Sequence, residues 1–97
     1  MANYELSQAA QNDLEDIFYY GMGLFGVEQA LQFKEGLTAQ FDKVAESPLH
    51  YQSLDAPLQE YRRSTYRSYS IYYLIEEQNI FIVRILNKQD RDKFLPH

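Results

Sequence analysis

The chain has no cysteine, only two histidines, and no apolar stretch near the roughly 18 residues that would suggest a membrane-spanning helix. The missing cysteine excludes disulfides, thiolate nucleophiles and cysteine-held zinc or iron–sulfur centres, and it suits a reducing cytosol. The missing apolar run, with an N-terminus that lacks a basic segment followed by an apolar one, reads as a soluble, unprocessed, cytoplasmic chain with no membrane contact. There is no P-loop, dinucleotide fingerprint or G-x-S-x-G elbow, so phosphate transfer, redox and serine-hydrolase chemistry have no motif behind them and no cofactor is expected. Asp13, Glu15 and Asp16 lie too close in sequence to converge on one ion from a helix; they read as a solvated face and not a metal site.

What is present is an apolar fraction of 45% in 97 residues, enough for one core and, on size grounds, one domain spanning 1–97. The net charge of −5 is unevenly spread. Residues 1–60 carry ten acidic and two basic side chains, whereas residues 61–97 carry seven basic and four acidic. An acidic chain gains little from counterion release on a phosphate backbone, so direct nucleic-acid binding is not expected, although a local basic face in the second part remains open.

Apolar periodicity orders the elements. Residues 3–6 are a short strand candidate, and Ser7 stands where a helix N-cap belongs. Leu14, Ile17, Phe18 and Leu24 then recur at helical spacing, with Gly21, Gly23 and Gly26 eroding the end of that helix. A second, longer helix follows from Val27 to about Glu46, built on Ala30, Leu31, Leu37, Phe41, Val44 and Ala45. Ser47, Pro48 and Pro57 mark a loop. Three strands are expected at about 60–65, 68–75 and 79–86, because tyrosine, isoleucine and threonine replace the helix formers and the connections are short. The expected architecture is α+β: an N-terminal strand and an antiparallel two-helix hairpin packed on a small, mainly antiparallel sheet. Strict alternation in the last strand places Phe81, Val83 and Ile85 on one face and Ile80, Ile82, Arg84 and Leu86 on the other. Both faces are largely apolar, which points to a partner covering the one the helices leave open.

The segments YELSQAAQNDLEDIFYYGMGLFGVEQA and YRRSTYRSYSIYYLIEEQNIFIVRIL, in that order, resemble the ParE branch of the RelE/ParE toxin superfamily. The likeness rests on Asp13–Leu14 in the first helix, the turn at Phe25–Gly26, the SPLH loop from Ser47 to His50, the paired Arg62 and Arg63, the SIYY strand and the IVRIL strand. After the last strand the chain departs from the family's common ending, with Asn87 standing where a histidine is usual. The resemblance implies a bacterial toxin of a type II toxin–antitoxin pair that inhibits DNA gyrase by binding and is neutralised by a ParD-like antitoxin. The alternative is a RelE-like, ribosome-dependent mRNA endonuclease.

That alternative needs groups that exchange a proton near neutral pH. His50 falls in the inter-element loop and His97 is the last residue, so no catalytic residue is assigned. Arg62, Arg63, Arg67 and Arg84 fall in neighbouring strands, where a guanidinium can hold a carboxylate or phosphate in a fork or simply pair with a nearby glutamate. The candidate target- or antitoxin-binding residues are these four arginines with Tyr69, Tyr72, Ile80, Ile82 and Lys88. Tyr19 and Tyr20 are further contact candidates, one of them expected in the core.

Overall fold

Ser7 is the hinge on which the first strand becomes a helix. Its hydroxyl accepts a hydrogen bond from the Ala10 amide at 2.9 Å, the N-cap contact expected of serine, and donates to the Val83 carbonyl at 2.6 Å. The computed structural model describes residues 3–93. A three-residue strand, β1 (Tyr4–Leu6), leads into helix α1 (Gln8–Phe25), which is followed by helix α2 (Val27–Glu46). A 3-10 turn at Pro48–His50 opens the loop, and strands β2 (Gln52–Ser53), β3 (Tyr61–Tyr66), β4 (Tyr69–Ile75) and β5 (Ile80–Asn87) follow. A 3-10 segment, Lys88–Lys93, packs against β4 and β5.

The strands form one sheet in the order β1-β5-β4-β3-β2, antiparallel except for the parallel β1–β5 pair. The expected α+β hairpin-on-sheet fold is the one observed. β2 was not expected; at two residues it is too short to show a period, and it takes its place by pairing with Arg62 and Arg63.

Two expectations need correction. The first helix does not fray at Gly21 and Gly23 but runs to Phe25. Gly21 faces Ala30 of α2, where an added Cβ would stand in ordinary van der Waals contact with the alanine methyl at 3.8 Å, and the glycine penalty at this one position does not end the helix. Only Gly26 breaks the helix. Its φ of +92° lets one residue end α1 and begin α2.

The second correction concerns β5. Its pairing with β4 shifts between Tyr73↔Ile82 and Tyr72↔Arg84, leaving Val83 as an extra residue in a β-bulge. The bulge breaks strict alternation, so Ile80, Ile82 and Ile85 all enter the core with Ala10, Leu37, Phe41, Val44, Ile71 and Tyr73. Ile80 and Ile82 therefore face the helices and are buried, not displayed to a partner. Tyr72 is buried as well, although it lies outside that cluster, as is Leu86.

Cross-links between layers fix the helices on the sheet. Asp13 of α1 holds Arg84 in a bidentate fork, Nε to Oδ2 at 2.7 Å and Nη2 to Oδ1 at 2.9 Å, while Oδ2 also accepts the Ile85 amide at 3.0 Å. That hydrogen bond and the carboxylate charge outweigh the burial of Arg84 and raise its pKa further. On α2, Gln40 donates to the Ser64 hydroxyl at 2.8 Å. Beneath the loop, the Tyr73 hydroxyl donates to the Pro48 carbonyl at 2.6 Å.

Truncating Asp13 to alanine leaves a guanidinium and a strand amide without their acceptor. The expected loss is about 2–4 kcal/mol of unfolding free energy in urea titration; a loss under about 0.5 kcal/mol would mean that water replaces the carboxylate without cost. A second expectation concerns alkaline pH. Burial pushes the Tyr73 phenol up to about 12, with Arg62 pulling it down and Tyr51 pushing it up. The folded state thus keeps a proton that the unfolded chain, with its phenol at 10.0, releases earlier. The stabilisation is complete below about pH 10 and is lost as the pH rises towards about 12. Tyr73→Phe should flatten this decline without abolishing it, since Tyr4 and Tyr69 are raised in the same direction; equal slopes for the two proteins would refute the assignment.

Candidate partner-binding groove

The apolar stripes of the two helices extend further than the sheet covers. Ala10, Leu37, Phe41 and Val44, at one end of the hairpin, are buried. At the other end, around the Gly26 turn, Tyr20 (66%), Leu24 (56%), Phe25 (65%), Val27 (53%) and Leu31 (45%) stand exposed. Leu24, Val27 and Leu31 belong by spacing to the expected core stripes, and their exposure is the largest departure of the helices from a simple amphipathic reading. Scattered exposed apolar residues are ordinary, but five within twelve residues of one hairpin tip form a patch.

Beside this patch runs a groove of about 650 Å³. Its α1 wall is Ile17, Tyr20, Leu24 and Phe25, and its α2 wall is Gln29, Gln32 and Phe33. Gly21 and Ala30 also line it, and the smallness of both is what leaves space between larger neighbours. The β3–β4 connection closes it with Arg67, Ser68 and Tyr69, joined by Asn87 at the end of β5.

The closing wall is an aromatic stack. Phe33 meets Tyr66 at 5.3 Å and Tyr69 at 5.7 Å between ring centroids, both edge-on. Arg67 lies over the Tyr66 and Phe33 rings, its Cζ 5.6 and 6.0 Å from their centroids. Tyr66 sits against Gly36 of α2 so tightly that a Cβ there would be 1.9 Å from its hydroxyl oxygen and 2.8 Å from Cζ. Burial, then Tyr20 and Asp90, raise the pKa of the Tyr69 phenol.

The structure separates the candidate residues sharply. Arg67 and Tyr69 line the groove, and of the two helix tyrosines Tyr20 does so as well. Tyr19 is exposed too, so neither of that pair is core. Arg84 is occupied by Asp13, and Arg62 donates to the Tyr51 carbonyl. Arg63 pairs with Tyr72 across β3 and β4, away from the groove. Lys88 is exposed and follows β5, its amide donating to the Ser68 carbonyl at 2.8 Å. Tyr72, Ile80 and Ile82 are buried, so none of the three presents a contact surface; the bulge and the two apolar faces of β5 hid this from alternation. His50 is exposed on the 3-10 turn, edge-on to Tyr51 at 5.0 Å, and is not part of the groove. His97 lies outside the described residues. Among the described residues no group of three or more histidine, cysteine, aspartate or glutamate side chains could hold a metal ion, and no helix is long and apolar enough to cross a membrane.

The profile of the ParE toxin of type II toxin–antitoxin system, parDE, matches residues 4–91. This chain belongs to that family. It is 33% identical over 88 residues to toxin ParE1 of Caulobacter vibrioides, covering 91% of each chain. It is 32% identical over 89 residues to toxin ParE1 of Mycobacterium tuberculosis, again over 91% of each. Among solved structures, a chain of the chromosomal ParDE system of P. aeruginosa superposes with a TM-score of 0.77 at 20% identity, over 90% of this chain and 96% of that one. A chain of the RelBE2 toxin–antitoxin complex of M. tuberculosis gives 0.61 at 16% identity, over 89% and 96%. These last two likenesses establish the RelE/ParE fold.

Within this ParE-family chain the packing of Tyr66 on α2 depends on Gly36, a residue the sequence pattern did not single out. In the present protein Gly36→Ala should destabilise, because the new methyl displaces Tyr66. In a Tyr66→Ala background the same change should stabilise by about 0.5–1 kcal/mol, the ordinary helical preference for alanine over glycine. A double-mutant cycle from thermal unfolding checks the reversal of sign; the same sign in both backgrounds would mean that the close packing does not matter.

Proposed function

We propose that this ParE-family toxin acts by binding and not by turnover, with bacterial DNA gyrase as its target, and that a ParD-like antitoxin silences it by laying a segment into the groove at the hairpin tip. The observation that carries the antitoxin half is the exposed apolar tip beside a 650 Å³ groove. A stable monomer gains nothing from displaying five large apolar residues together, whereas a segment that is disordered when free and folds as an amphipathic helix on contact would bury them. A chain of the P. aeruginosa ParDE system shares the fold at a TM-score of 0.77, which suits a toxin that assembles with an antitoxin. The gyrase half rests on membership of the ParE family and on the chemistry of the groove. Among the described residues no histidine lines it, and Asn87 stands where the family's usual histidine follows the last strand, so proton exchange near neutral pH has no evident agent among them.

Purified chain at micromolar concentration should block supercoiling of relaxed plasmid by gyrase and leave the message in programmed ribosomes intact. No inhibition would remove the gyrase assignment, and mRNA cleavage in the ribosomal A site would replace it with RelE-type chemistry. Leu24→Glu should weaken capture of a ParD-like antitoxin at least about tenfold, since a charge replaces an apolar contact of Leu size; unchanged affinity would place the antitoxin elsewhere.

A further inference from the structure

Four arginines in neighbouring strands look alike in sequence, yet one is held differently. Arg84 is neutralised by Asp13, and Arg62 is spent on a backbone carbonyl. Arg63 sits mid-strand opposite Tyr72. Arg67 is exposed at the mouth of the groove and is the one charged residue among the described residues that line it. No carboxylate lies within ion-pairing distance of it among the described residues.

Two features show that Arg67 is placed and not merely tolerated. It occupies the two-residue β3–β4 connection with φ at +53°, a left-handed backbone that favours glycine or asparagine and disfavours a long side chain. Its guanidinium rests over the rings of Phe33 and Tyr66, the second of which packs against Gly36, and Nε reaches the Tyr66 hydroxyl at 3.5 Å. Stacking of this kind restrains the cation before any ligand arrives and leaves N–H groups of the guanidinium for a planar anion.

We infer that Arg67 is the specificity-determining residue of the groove, taking a carboxylate carried at one end of the apolar face of the helix that docks there. The inference rests on the reading of the groove as the seat of an amphipathic segment and adds the chemistry of one side chain to it. Apolar contacts along Tyr20, Leu24 and Phe33 are non-directional and would admit many helices in several registers. A single charge-assisted fork against Arg67 fixes the register, and it rejects a helix with a lysine at that position by direct repulsion.

The test uses the full chain and a display library of 16-residue amphipathic helices, with leucines fixed one helical turn apart and the remaining positions randomised. Parallel selections on the unmodified protein and on Arg67→Gln should enrich aspartate or glutamate severalfold at one position in the first and not in the second, with the same apolar preferences in both. For a selected peptide, Glu→Gln should raise Kd about tenfold against the unmodified protein and less than about twofold against Arg67→Gln; Arg67→Lys, which keeps charge but loses the fork, should fall between. Equal acid frequencies in the two selections, or equal costs of Glu→Gln, would overturn the role of Arg67 and leave the groove standing. Selected peptides that bind Leu24→Glu as tightly as the unmodified protein would overturn the groove reading and this inference together.

Discussion

The arrangement depends on how the free edge of β5 is closed. β4 satisfies one side of that strand, but β1 follows the other only as far as Ile82. Beyond it the chain has already become α1, and α1 takes over the task with side chains. The Ser7 amide and hydroxyl take the Ile82 and Val83 carbonyls, and Asp13 takes the Ile85 amide and the Arg84 guanidinium. A buried backbone group left unpaired costs about 1–3 kcal/mol, so these contacts fix where α1 starts and how it lies. They also act only on its first half. Past Asp13 the helix is steered by packing alone, and its last turns run out beyond the sheet with Tyr20, Leu24 and Phe25 uncovered. The groove follows from a helix that is pinned at one end and unsupported at the other.

Much of this is legible in the sequence. Ser7 as a cap, two helices meeting at Gly26, and three closely connected strands rest on short-range chemistry that composition and spacing report directly. What stayed hidden was what depends on the other layer. Gly21 reads as a helix breaker unless Ala30 is known to face it, and Gly36 reads as a weak spot unless Tyr66 is known to lie on it. In β5 almost every residue is apolar, so alternation carried no information about which face is inward and none about the bulge at Val83. Ile80 and Ile82 were misplaced for that reason, whereas Arg67 and Tyr69, at the β3–β4 turn, reach the groove.

The arginines show the same limit in electrostatic form. Sequence supplies the charge and its element, but the role of each depends on an acceptor 11 or 71 residues away. Asp13 turns Arg84 into a structural tie, and the Tyr51 carbonyl does the same for Arg62. Arg67 has neither, and aromatic faces hold it where no carboxylate among the described residues pairs with it.

Charge distribution then separates two things that a complementary partner could gain. The first 60 residues, which build both helices, carry ten acidic and two basic side chains, so an acidic segment approaching the hairpin meets a repulsive field. At physiological salt that field is screened beyond about 8 Å, while a stacked guanidinium acts within hydrogen-bonding distance. A carboxylate on the docking helix therefore gains nothing in transit and gains only on contact. What Arg67 can supply is discrimination among helices already in the groove, through the rate at which a wrongly registered one leaves.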